Sequence, residues 1–418
     1  MHTHAASLVS HITHTLTWHL RLPMVFSSVI PHSEFVICPL QNVPTLRFMK
    51  LALIRRSFSA TGGAELYLQR LLAGLVREGH EVDLFAEKWE GQADGVQFKP
   101  VPITKAPRSE RAARFAINVR RVLSPEDYHC VFSLERTIQQ DVYRAGDGLH
   151  RVWLERRRQF ARWWWRPFIG HTAFHRRMQK LEALTFDPAN TRHIIVNSDM
   201  VRGEIAQHFP AFPQERIHLV RNGVDPRRFQ GIDRIAARQR LGLSEDDFVL
   251  LFVGSGWERK GLPWLLKYMA AQAHDPALKL LAVTRDRVRG PRSPQIVLPG
   301  PMKDIEQAYA AADLLVFLPI YEPCSNVVSE ALASGIPVIT SSQNGAAELI
   351  SPGLNGHVLD DPRDLATLGA HIAHWRVAGR CRVQADVPLD IETNVQNTLR
   401  VLELAAADRT RRDGQVVA

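Results

Sequence analysis

From Leu51 onward, short apolar runs of strand size alternate with stretches of helical period. The run at 51–56 is followed by the polar, glycine-bearing segment 57–65, a helical stretch ending at Gly79, and a second apolar run at 81–86. A strand, a crossover helix and another strand at this spacing commit the chain to a parallel sheet with right-handed connections. Runs at 96–101, 129–133, 142–145 and 193–197 continue the pattern, which is that of one doubly wound domain. A second series begins at Arg216: 217–220, 248–253, 278–283, 295–298, 314–318 and 338–340 read as strands, with helical patterns at 263–273, 304–312 and 326–334. The expected fold class is therefore α/β, two doubly wound parallel-sheet, Rossmann-like domains facing across a cleft.

At 418 residues the chain is too long for one ordinary core. The linker is expected near 209–214, where Pro210 and Pro213 break any period. That gives an acceptor-side domain at 49–212, a nucleotide-binding domain at 213–386, and a helix and tail at 387–418. The last periodic helix, 391–407, is expected outside the second sheet or crossing back to the first. Ligands of doubly wound sheets sit at the carboxyl ends of the strands, so two facing domains form a clamp suited to a nucleotide-containing ligand.

Residues 1–48 differ from the rest. They hold six of the eighteen His and a single acid, Glu34, and their apolar patch at 16–30 is broken by His19, Arg21 and Pro23. That patch is too interrupted for a secretory signal. Met49 reads as the true start and the preceding residues as a mis-assigned upstream extension; a disordered leader is the alternative. No apolar run is long enough to span a bilayer. Cys38, Cys130, Cys324 and Cys381 show no C-x-x-C spacing, which points away from a zinc site or disulfide framework and toward a reducing cytoplasm.

The net charge of +9 is concentrated. Residues 151–180 carry eight Arg and one Lys against one acid, Glu155, which makes +8. Trp153, Phe160, Trp163, Trp164, Trp165, Phe168 and Phe174 are interleaved with these cations. Indole rings and cations together suit an anionic bilayer surface, where the ring takes the boundary and the charge meets the headgroups. Single-stranded nucleic acid uses the same ingredients, and a helical hairpin with its Trp in the core needs no ligand. The membrane reading is preferred and no nucleic-acid partner is expected.

The chemistry concentrates between two buried runs, in Tyr321-Glu322-Pro323-Cys324-Ser325-Asn326-Val327-Val328-Ser329-Glu330 and the helix that these residues open. Ser325 or Asn326 can cap the helix amides, Gly335 is placed to end it in a left-handed conformation, and Pro337 cannot continue it. A strand, a polar loop and a helix N-terminus form an anion cradle, because unpaired N–H groups and the helix dipole point at one spot. Glu322 and Glu330 flank that cradle, where carboxylates bind sugar hydroxyls. In Val253-Gly254-Ser255-Gly256-Trp257-Glu258-Arg259-Lys260-Gly261, Arg259 and Lys260 offer cations where a diphosphate would lie. Gly62 and Gly63 allow close approach to a phosphate from the first domain. Arg221, in Arg221-Asn222-Gly223-Val224-Asp225, lies at a strand end on the cleft rim, with an ordinary turn as the alternative. Asp147 and His150 follow the 142–145 run and are the titratable candidates on the acceptor side.

Taken together, Glu322 and Glu330 eight residues apart on a strand-loop-helix, Gly62-Gly63-Ala64-Glu65, the 254–261 loop and the 221–225 segment resemble glycosyltransferase family 4 from Met49 to about residue 407. Within it the similarity is to enzymes that glucosylate the lipopolysaccharide core, carried by Asp141-Val142-Tyr143-Arg144-Ala145-Gly146-Asp147 and the 255–261 loop. The resemblance implies a GT-B fold, with Glu322 on the donor hexose and Glu330 on the ribose. Ser325, Asn326, Val327 and Val328 would bring the helix N-terminus to the phosphates, Lys260 would bind the diphosphate, and Gly62 and Gly63 would close from the opposite domain. Many members have Gly-Arg where this chain has Gly254-Ser255, so Arg259 is the candidate substitute cation. The implied reaction is transfer of a hexose, glucose first among the candidates, from a UDP-sugar donor to a lipopolysaccharide-core or other lipid-linked glycan. Configuration would be retained, and no metal or other cofactor would be needed. The place implied is the cytoplasmic face of the plasma membrane. A nucleotide-sugar epimerase and a non-enzymatic basic scaffold are the competing readings; the intact set of Glu322, Glu330 and Lys260 argues against the scaffold.

Overall fold

In the computed structural model the apolar runs become two parallel sheets. The structure describes residues 48–58, 63–90, 93–103, 106–107, 109–288, 293–379 and 382–416, all within one unit, Val43–Ala418. The expectations for residues 1–47 lie outside the described residues.

The first sheet has seven strands in the order Val96–Pro100, Glu81–Ala86, Lys50–Ile54, Cys130–Ser133, Gln140–Arg144, Thr191–Val196, Ile217–Leu219. Lys50–Ile54 is an interior strand: Leu51 stands opposite Val82 on one side and Cys130 on the other. Helices cover both faces of such a sheet, and for that reason this strand is continuously apolar from Leu51 to Ile54 rather than alternating. The second sheet has six strands, Ile296–Val297, Leu278–Val283, Phe248–Val253, Leu314–Phe317, Val338–Ser341 and Gly356–Leu359. Leu314–Phe317 lies near its middle, fully buried, and delivers the chain to the loop that carries Glu322.

One strand changes sheets. The run at 217–220, expected to open the second domain, is the seventh strand of the first: Ile194 stands opposite Ile217, and the Val220 amide donates to the Val196 carbonyl at 2.8 Å. The proline-flanked loop before it is a return, not a linker, since Phe212 inside it is buried with Ile194, Ile205 and Ile217. The chain leaves the first sheet only after Val220, through the 221–225 segment.

The second crossing is made by the long helix Ile391–Val416, which packs on the first sheet. Val395, Leu399, Leu402 and Ala405 share a core with Leu51, Leu68, Leu72 and Phe132. A Cβ added at Gly74 would lie 2.7 Å from Val395, so this approach depends on a missing side chain. Asp408 accepts from His193 at 3.0 Å, and Arg409 reaches Asp141 at 3.3 Å. The two crossings lie side by side: the Val224 amide donates to the Leu389 carbonyl, and Asn394 donates to the Arg221 carbonyl, both at 2.6 Å.

The basic stretch is a helical hairpin, His150–Phe160 and Ala173–Thr185 joined through a tight turn at Trp163–Phe168. Its aromatics do not form a core, because Trp163, Trp165 and Phe168 are 74%, 60% and 67% exposed. Trp153 and Phe160 are half-buried, Trp153 against the core of the first domain. Among the described residues no helix is long and apolar enough to cross a membrane.

Leu402 has no exposure, although it lies in the last helix of the chain and covers the first sheet. Leu402→Ala is expected to lower the unfolding free energy by about 2–5 kcal/mol, read by urea denaturation. A loss below about 0.5 kcal/mol, the range of ordinary surface substitutions, contradicts this packing.

Candidate active site

The strand Leu314–Phe317 ends in Leu318-Pro319-Ile320, and the chain turns through Tyr321–Ser325 into the helix Asn326–Ser334. Gly335 ends that helix at φ 81°, a left-handed value that favours glycine. Capping differs from expectation. Ser325 occupies the cap position but its side chain makes no capping bond, and the Asn326 Oδ1 accepts instead from Asn222 Nδ2 at 2.7 Å. Asn344 replaces them as the local organiser, its Oδ1 accepting from the Ser325 and Ala346 amides at 3.2 and 3.1 Å. No side chain caps the first helical turn, where the Val328 amide donates to the Ser325 carbonyl at 3.3 Å, and an uncapped helix N-terminus suits a bound anion.

Glu322 stands at the mouth of this turn. Its Oε2 accepts from Arg259 Nη1 at 2.7 Å, and the same nitrogen donates to the Tyr321 carbonyl at 3.1 Å. Arg259 therefore fixes the acid and the backbone before it. Its Nη1 serves Glu322 and the Tyr321 carbonyl. Lys260 is the adjacent cation of the same loop. Lys260 is half-buried, with its ammonium 5.5 Å from the centre of the Phe317 ring. Burial pulls its pKa below the ordinary lysine value, with Glu322 and Asp286 pulling it back up. Gly254 makes the room, since a Cβ there would meet Lys260 Cδ at 2.7 Å. Asp286 holds the loop from the other side through the Trp257 amide at 3.0 Å.

Glu330, two turns along the helix, accepts from the Tyr309 hydroxyl at 2.7 Å. Burial raises its pKa above the usual carboxylate range, while the Tyr309 bond and the Arg228 charge oppose that rise. Arg70, from the first helix of the first domain, faces Arg228, Asp225 and Glu330.

On the opposite domain Gly62 lies outside the described residues. Gly63 begins the helix Gly63–Arg77. Asp147 is exposed. His150 opens the helix His150–Phe160, its amide donating to Glu182 and its Nε2 facing His175 Nδ1 at 3.0 Å. Burial, then the charge of Arg136 and the neighbouring His175, lower its pKa to about 4, so the imidazole is neutral near pH 7. Arg221 is not at the cradle: Nη1 pairs with Glu348 at 2.7 Å and Nη2 with Asp199 at 3.5 Å, bracing the two domains.

The acceptor-side loop rests on the loop of Glu322. Gly148 has φ 61°, and a Cβ there would fall 2.2 Å from the Tyr321 hydroxyl and 2.8 Å from Pro323. That hydroxyl donates to Glu204 at 2.7 Å and accepts from the Leu149 amide at 3.0 Å. Ser198 donates to the Pro323 carbonyl at 2.7 Å. Sequence reading missed Tyr321, Glu204, Asn222, Asn344 and Tyr309; only Tyr321, between a buried run and an acid, carried a local signal.

Two family models match the chain in order. The glycosyltransferase family 4 model covers residues 61–228, and the glycosyl transferases group 1 model covers residues 247–374. The chain belongs to these GT-B glycosyltransferases. It is 25% identical over 317 residues to the lipopolysaccharide glucosyltransferase WaaG of Escherichia coli, which covers 72% of this chain and 82% of WaaG. A crystal structure of WaaG matches with a TM-score of 0.68 at 22% identity, over 86% of this chain and 98% of that one. HepE of Anabaena, solved in complex with UDP-glucose, matches with a TM-score of 0.60 at 18% identity, over 86% and 100% of the chains. The first sheet with its covering helices is thus the family 4 domain, and the second sheet, with Lys260, Glu322 and Glu330, is the group 1 domain of this glycosyltransferase.

Two measurements test the geometry. Gly148→Ala forces a side chain into the Tyr321 contact at a positive φ and is expected to cost about 1–3 kcal/mol of stability, measured by denaturant unfolding; an unchanged midpoint removes the close approach. His150 has a folded pKa of about 4 against an ordinary 6.5, so the unfolded chain binds the extra proton between those values. Stability is therefore full above 6.5 and falls as pH drops toward 4. His150→Gln is expected to flatten this part of the stability profile, and an unaltered slope counts against the buried neutral ring.

Proposed function

We propose that this glycosyltransferase moves a hexose from a UDP-sugar, glucose being the first to try, onto a lipopolysaccharide-core or other lipid-linked glycan, with retention of anomeric configuration. The observation that carries the reading is the convergence of Glu322, Lys260 and the N-terminus of Asn326–Ser334 at strand ends of the second sheet, directly against the 146–150 loop of the first. Kinship with a lipopolysaccharide glucosyltransferase and the fold shared with a UDP-glucose complex support the donor and acceptor classes.

In this reading the Glu322 carboxylate, fixed by Arg259, takes hydroxyls of the donor hexose, and Glu330 takes the ribose. The diphosphate lies against Lys260 and the amides of Val327 and Val328. As the sugar–phosphate bond breaks, negative charge grows on the leaving diphosphate. A partly desolvated cation and a helix N-terminus stabilise that charge more in the transition state than in the ground state. These groups do the work that a divalent metal does elsewhere, and the reaction is proposed to run without one. The departing phosphate oxygen takes the acceptor proton. Asp147 and His150 lie on the acceptor side, where a neutral imidazole orients a hydroxyl by hydrogen bonding without adding positive charge.

The exposed Trp163, Trp165 and Phe168, with Arg162 and Arg166 among them, are proposed to rest on an anionic membrane surface and bring the enzyme to a lipid-borne acceptor.

Transfer from labelled UDP-glucose tests the chemistry. Glu322→Ala is expected to remove most of the activity while the melting temperature stays close to wild type; a turnover like that of the wild type sinks the assignment. Docking is tested by sedimentation with phosphatidylglycerol vesicles, where binding is expected to fall steeply as salt is raised to about 0.5 M, at which the screening length is only a few ångströms. Binding indifferent to salt excludes electrostatic docking.

A further inference from the structure

The loop that presents Glu322 belongs to the second domain, yet many of the polar contacts that hold it come from the first. Ser198 donates to the Pro323 carbonyl at 2.7 Å, and Asn222, itself held by Arg144 at 2.5 Å, donates to Asn326 at 2.7 Å. The contact nearest the acid is at Tyr321. Its hydroxyl donates to the Glu204 carboxylate at 2.7 Å and receives the Leu149 amide at 3.0 Å, while its carbonyl accepts from the same Arg259 nitrogen that binds Glu322. Tyr321 is thus a strut, fixed by the first domain at one end and by the Arg259–Glu322 pair at the other.

We propose that Glu204 is a positioning residue for the sugar donor: through Tyr321 it sets the place of Glu322, so that donor affinity depends on a carboxylate of the acceptor-side domain. The proposal rests on the UDP-sugar reading above. A hydrogen bond to a charged acceptor is about twice as strong as one to a neutral acceptor, so the strut is firm when Glu204 is ionised and loose when it is protonated. The groups facing this carboxyl are Tyr321 from the donor loop, Arg156 and Glu155 from the helix His150–Phe160, and Glu182 from the helix Ala173–Thr185. On its own helix His208 lies 3.8 Å from Glu155. Burial raises Glu204 to about 7; the Tyr321 bond and Arg156 pull it down, and the two acids push it up.

The sign follows. Above about 7 the carboxylate is charged and the donor loop is held; below it the bond to Tyr321 weakens. Donor KM of the wild type is expected to rise about tenfold between about pH 8 and pH 6 with kcat changing much less, the size of one charge-assisted hydrogen bond. Glu204→Gln keeps an acceptor and cannot titrate, so its donor KM is expected to stay at the acid value across the range. Tyr321→Phe is expected to do the same, and the double variant to be no worse than either single one. His208→Asn serves as the control and leaves the acid limb in place.

The limb surviving in Glu204→Gln overturns the proposal, as do additive effects of the two substitutions. Should Tyr321→Phe fail to fold, the pH profile of Glu204→Gln against the wild type decides alone. A wild type that transfers no hexose at any pH overturns the UDP-sugar reading and the positioning role with it. A wild type that turns over with an acid limb indifferent to Glu204 overturns the positioning role only.

Discussion

The hydrogen bond from Tyr321 to Glu204 crosses between two sheets that otherwise have separate cores. Much of the site follows from it and its neighbours at Ser198 and Asn222. A loop at the end of one parallel strand has few local partners, because the sheet stops there and the helix has not yet begun. Here Arg259 and Asn344 of the same domain and, through Tyr321 and Pro323, Glu204 and Ser198 of the other supply them, and Glu322 is held in place before any ligand arrives. A site preorganised in this way gives up less order when the donor binds.

The electrostatics of the site work through exclusion of water as much as through charge. Lys260 is partly desolvated against Phe317, and Glu330 is desolvated against Tyr309. Each gives up hydration and is only partly compensated, Lys260 by Glu322 and Asp286, Glu330 by Tyr309 and Arg228. In the proposed reading such groups meet the diphosphate and ribose of the donor, which is where binding energy is useful for group transfer. Arg259, in contrast, is committed to Glu322 and the Tyr321 carbonyl. The division of labour between these adjacent cations is clear only in three dimensions.

What could be read from the sequence was what is local. The alternating runs gave two parallel sheets, because burial on both faces writes a continuous apolar strand. Gly335 could be placed because a helix stop needs a left-handed residue. Membership of a sheet is not local: Ile217–Leu219 is a short run after two prolines, and nothing within it says which neighbour it joins. Partners distant in sequence were equally invisible. Asn326 looked like a cap because its partner Asn222 is 104 residues away, and Arg221 looked like a rim cation because Glu348 is 127 away. The Trp residues of the hairpin could have been core or surface by pattern alone; exposure decided it.

The closing helix, Ile391–Val416, lays Val395, Leu399 and Leu402 on the sheet that the chain began to build at Lys50. A nascent polypeptide emerging from the ribosome therefore displays an uncovered apolar face on its first domain while the entire second domain is being made. Synthesis of this helix completes a sheet made much earlier, and the interval between is one in which a chaperone has a hydrophobic surface to hold.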